Sequence, residues 1–128
     1  MNAERELLNT YHDWHRLALA EARAIRTSDW NLLADCQLAI ADFQTLTGRL
    51  LVEARQEWEH AGLDVAEKER HLKVYIHQLL ELTRENQSLL QAAKDVAVFK
   101  LEELGEAGRN IRRLRGSYGH VGGLLHAA

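Results

Sequence analysis

From Leu72 to Leu114 one spacing holds without a break. Leu72, Ile76, Leu79, Thr83, Asn86, Leu90, Ala93, Ala97, Lys100, Leu104, Ala107, Ile111 and Leu114 follow one another in alternating steps of four and three. Such steps keep one helix face turned toward a partner, as in a heptad seam. A continuous helix over residues 65–115 would reach about 75 Å. A second stripe of the same kind, Leu33, Cys36, Ile40, Phe43, Thr47, Leu50, Ala54 and Trp58, predicts a helix over about residues 29–60. That helix would reach about 48 Å. The first stripe, Leu7, Tyr11, Trp14, Ala18, Ala22 and Ile25, gives a shorter one. An antiparallel arrangement of three such helices leaves the last two to four turns of the third with no partner inside the chain.

Local signals agree with this plan. Proline is absent, where about six would be usual for this length, so nothing interrupts long helices. Asn2 is an N-cap type, Thr27-Ser28-Asp29 reads as a tight inter-helix turn, and Gly62 suits a left-handed helix end. Asp64-Val65-Ala66-Glu67 has capping-box spacing. Gly48 interrupts helix 2 at a cost of about 1 kcal/mol against alanine, which the surrounding apolar positions can absorb. Six of the eight glycines fall in the last 24 residues. Gly105 and Gly108 should weaken the third helix, and Gly116 should stop it. The expected fold is all-α, an antiparallel three-helix bundle with a long C-terminal helix. It forms a single helical domain over 1–128, with helix 1 over 1–27, helix 2 over 28–61, helix 3 over 64–115 and a flexible tail over 116–128. Trp14, Phe43, Leu50, Leu79 and Leu90 are the expected core.

Several function classes lose support at this point. A net charge of −3 gives no reason to expect nucleic-acid binding. Cys36 is the single cysteine, so no internal disulfide or cysteine-based zinc cluster can form, and on the seam it reads as a small buried hydrophobe. No apolar run exceeds four residues, against roughly 20 needed to span a bilayer. The charged start is not a signal peptide, so a cytosolic protein is expected. His12 and His15 share a helix face, and Glu57 to His60 makes one Glu-x-x-His. A di-iron bundle needs two such motifs and two further glutamates on four helices. No nucleophile elbow or phosphate loop occurs. No catalysis, metal or cofactor is therefore expected. Thr83 and Asn86 are polar seam residues that either specify register or open a polar notch.

The stripe of Val96, Ala97, Leu101, Leu104, Ala107, Ile111 and Leu114, with Val98 and Phe99 nearby, lies where the third helix outruns its partners. Residues 107–128 carry four arginines, Arg109, Arg112, Arg113 and Arg115, and no acid. These arginines either suit a helix C-terminus and a solvated face, or meet an acidic protein partner, or bind phosphate, with nucleic acid the weaker reading for only four charges without interleaved aromatics. Either the chain self-associates through this stripe, as a weak homodimer or coiled-coil scaffold, or a client helix supplies the missing face, with Arg112 and Arg113 at its rim.

Two patches of sequence carry a resemblance. One is Glu21, Ile25-Arg26, Asp29-Trp30 and Leu33 across the first turn. The other is Asn86-Gln87-Ser88-Leu89-Leu90 within the long helix, followed by Tyr118-Gly119-His120-Val121-Gly122. An Asn followed by paired leucines, then a terminal Tyr-x-x-x-Gly, resembles flagellar type III export chaperones of the FlgN kind and, more distantly, the FliT kind. The resemblance implies a cytosolic chaperone for hook–filament junction (hook-associated) proteins. It would hold a client's helix-prone terminal segment and deliver it to the export apparatus, with no cofactor, no catalysis and no membrane insertion. Tyr118 joins the candidate partner-binding residues on this ground.

Overall fold

A computed structural model describes residues 2–117. Three α-helices make up 93 % of them, with no strand among the described residues. They are α1 (Ala3–Arg26), α2 (Trp30–His60) and α3 (Val65–Ser117).

The turns follow the local signals closely. Asp29 caps α2, its side chain accepting from the Leu32 amide at 3.1 Å. Ser28 takes the left-handed conformation at φ 57°, so the chain reverses here without glycine. Gly62 ends the α2 turn at φ 70°, where the missing Cβ removes the usual steric cost. The Asp64 carboxylate accepts from the Glu67 amide at 3.3 Å, the first half of the capping box. Asn2 differs from expectation, because its side chain makes no cap hydrogen bond. Instead the Ala3 amide donates to Glu57 Oε1 of α2 at 3.4 Å, so a neighbouring helix caps α1.

Gly116 does not stop α3, which runs through Gly105, Gly108 and Gly116 to Ser117. A glycine costs a helix only about 1 kcal/mol, and each backbone bond made beyond it offsets part of that. Residues 118–128, most of the expected tail, lie outside the described residues.

Two compact units divide the chain inside α3, after Leu90. In the first, the three stripes meet in a core of Leu7, Tyr11, Leu50, Ala54, Trp58, Leu72 and Leu79. Trp58 is buried, and its indole N–H donates to Glu4 Oε2 at 2.9 Å. Glu4 also pairs with Lys68 at 3.3 Å, so one carboxylate ties the start of α1 to α2 and α3. Tyr11 stacks on Tyr75 with ring centroids 6.5 Å apart, and His12 meets the same ring edge-on at 5.6 Å. Arg55 of α2 bonds Glu69 of α3. Glu4 faces Lys68, Tyr11 faces Tyr75 and Ala18 faces Asn86, so α1 and α3 run parallel with α2 antiparallel to both.

Of the expected core, Leu50 and Leu79 are buried, whereas Trp14, Phe43 and Leu90 are half-buried. Trp14 and Leu90 border an open cleft near the end of this unit, where packing is incomplete. Elsewhere on the α2 seam, Leu33, Cys36, Thr47, Ala54 and Trp58 are buried beside Leu50, and Ile40 is half-buried at the cleft. The second unit, from Gln91 on, is the distal part of α3 in the described residues.

Candidate functional site

The long seam changes character along α3. Leu72, Leu79 and Asn86 are buried, and Ile76, Thr83, Leu90 and Ala93 are half-buried. From Ala97 onward every seam position is exposed: Ala97, Lys100, Leu104, Ala107, Ile111 and Leu114. Relative exposures reach 53 % at Val96, 67 % at Leu101, 68 % at Leu104, 51 % at Ile111 and 56 % at Leu114. An isolated exposed leucine means little, but a contiguous apolar stripe marks an interaction surface. The exposed seam exceeds the two to four turns expected, reaching nearly five between Ala97 and Leu114. Register supplies the reason. Ala18 lies against Asn86, and α1 ends eight residues further on, at Arg26.

Helical spacing places the candidate residues on one side. At 100° per residue, Val96, Leu101, Leu104, Ala107, Ile111 and Leu114 fall within an arc of about 140°. Arg112 flanks that arc on one edge and Glu103 on the other. Arg113 lies on the far side of the helix, so the two arginines expected at one rim are not brought together there. Phe99 and Val98 are exposed as well, but off the stripe. Tyr118 lies outside the described residues.

The polar seam residues resolve differently from each other. Thr83 Oγ1 donates to the Leu79 carbonyl of its own helix at 2.8 Å. Asn86 is 3 % exposed, and its Nδ2 donates to the Ala18 carbonyl at 2.8 Å and to Glu21 Oε1 at 2.7 Å. Asn86 therefore fixes α3 against α1, a register role. Beside it opens a cleft of about 230 Å3, lined by Trp14, Glu21, Ile25, Gln37, Ile40, Thr83, Asn86 and Leu90 among others. Both readings of the polar pair thus meet here, register at Asn86 and a notch beside it; sequence reasoning missed the part played by Glu21. The polar pair at Thr83 and Asn86 was the available signal.

Cys36 is free and buried. Burial, aided by the carboxylates of Glu21, Asp35 and Asp29, raises its thiol pKa above the ordinary value. A protonated buried thiol is a poor nucleophile. Among the described residues no group of three or more His, Cys, Asp or Glu side chains could hold a metal ion. Nor is any helix among them long and apolar enough to cross a membrane. No family model, curated protein or solved structure matches the chain.

Proposed function

We propose that this chain is a cytoplasmic export chaperone of the kind its sequence resembles. It holds a helix-prone terminal segment of a hook–filament junction protein on the distal face of α3 and delivers it to the type III export apparatus. The observation that carries this reading is the exposed apolar seam from Val96 to Leu114, continuous with a seam that is packed nearer the start of α3. An amphipathic client helix binds such a stripe through anchors spaced three and four apart. Arg112 at the edge of the stripe favours acids on the client's rim. An interface of roughly 1,200–1,600 Å² fits micromolar or tighter affinity once the ordering of a disordered client is counted. The reading assigns no catalysis and no cofactor.

Binding of a terminal peptide from a hook-associated protein, measured by calorimetry, tests it. Leu104→Asp with Ile111→Asp should abolish binding and leave the melting temperature nearly unchanged. Unfolding of the double variant would return those side chains to the intramolecular core. Unchanged affinity would remove the stripe from the binding site.

A further inference from the structure

We propose that the cleft beside Asn86 is a binding site for a small organic cation, a primary ammonium carried on an apolar body the size of one aromatic ring. The cleft lies wholly within the first unit, so the proposal does not rest on the distal face of α3 or on the client reading.

Charge carries the proposal. Glu21 is half-buried and is the one ionisable side chain among the described residues that line the cleft. Its Oε1 accepts from Asn86 Nδ2 at 2.7 Å, and neither of its oxygens meets a cation among the described residues. Arg23 and Arg26 of the same helix are exposed, and helical spacing sets them about 160° and 140° around the axis from Glu21. A carboxylate partly withdrawn from water with no counter-charge favours a cation beside it. An anion would meet only repulsion there, because no lysine, arginine or histidine lines the cleft.

Asn86 supplies the second observation. Both partners of its Nδ2, the Ala18 carbonyl and the Glu21 carboxylate, are acceptors, which fixes the orientation of the amide. Its Oδ1 is then an acceptor on a side chain only 3 % exposed, and no described group donates to it. The spare oxygens of Glu21 and Asn86 call for N–H donors. A primary ammonium has three donors and no acceptor.

Size and walls select the rest of the ligand. Trp14 precedes Glu21 by two turns on the same face of α1, about 10 Å along the axis, with the short side chain of Ala18 between them. Ile40 of α2 and Leu90 of α3 add apolar wall. The cleft holds about 230 Å3, against about 150 Å3 for an apolar cavity that takes benzene. An ammonium at Glu21 thus leaves room for one ring toward Trp14.

Titration of the full chain with 2-phenylethylammonium, followed by calorimetry and by the NMR signals of the three indole N–H groups, tests the site. Saturation is expected below about 10 mM. The Trp14 signal should move, and those of Trp30 and Trp58, which lie outside the lining, should not. The uncharged 2-phenylethanol should bind about tenfold more weakly or worse, and 3-phenylpropanoate should not bind. Glu21→Gln keeps an oxygen for Asn86 and should weaken ammonium binding by about tenfold or more. If that variant melts early, Ala41→Trp decides instead, since it fills an exposed edge of the cleft away from the Asn86 bonds and should abolish binding. Absence of saturation by about 10 mM, equal affinity for the alcohol, or binding that leaves the Trp14 signal in place would each overturn the proposal. So would undiminished binding by folded Glu21→Gln or by Ala41→Trp. The client measurement, which reads Leu104 and Ile111 in the other unit, stands or falls separately.

Discussion

Asn86 stands where an apolar side chain would satisfy the seam, yet both of its amide hydrogens are engaged, one on the Ala18 carbonyl and one on Glu21. Removing a donor from a buried pair strands its acceptors, which costs about 1–3 kcal/mol. Asn86→Ala should therefore destabilise the chain by that amount in urea denaturation. Thr83→Val, whose hydroxyl serves only its own helix turn, should cost less than about 1 kcal/mol by the same measure. Two other buried groups set a limit at alkaline pH. Burial raises the pKa of Tyr11 above its ordinary value, and that of Cys36 likewise, with nearby carboxylates adding to the latter. The unfolded chain loses these protons first. Their contribution is complete below the ordinary values of 9.0 for Cys36 and 10.0 for Tyr11, and it is lost as pH rises through the higher folded values. Chemical denaturation at a series of pH values should show stability falling above about pH 9, with a shallower fall in Cys36→Ala than in the parent.

At the level of elements, α3 uses one spacing for two ends. Its proximal seam is packed against α1 and α2, and its distal seam is exposed. In proteins most helical stability comes from tertiary packing, which an exposed helix lacks, and two interior glycines weaken this one further. Hydrogen exchange followed by mass spectrometry should find slow amides near Leu72 and Leu79 and fast ones near Leu104 and Ile111. Uniform protection along α3 in dilute, client-free protein would show that the distal part is packed after all. The spacing made the three helices and the mismatch in their lengths legible before any coordinates. It could not show where packing loosens. Trp14, Phe43 and Leu90 occupy seam positions as regular as Leu50 and Leu79 yet are only half-buried, Trp14 and Leu90 along the cleft. Periodicity fixes which way a side chain points but not how closely the opposite helix approaches. Gly116 failed as a stop signal for a related reason: composition names a weak point, while continuation of the helix depends on the bonds made beyond it.

Across the whole molecule, charge is divided as sharply as packing. The net value of −3 conceals four arginines and no acid from residue 107 onward, against twelve basic and nineteen acidic residues before it. The candidate face was legible as a stripe without a partner, because both the stripe and the shortage of helix beside it can be counted along the chain. Its rim was less legible, since Arg112 and Arg113 are adjacent in sequence but diverge by about 100° around the axis. The closing contact of the three-helix unit has a further consequence, in the order of synthesis. Asn86 joins α1 some 68 residues back along the chain. At about 5–20 residues per second, residues 91–117 follow Leu90 from the ribosome over about 1–5 s. Small helical units close in far less time than that. Leu101, Leu104 and Ile111 thus emerge after α1 and α2 have had time to close on the first part of α3.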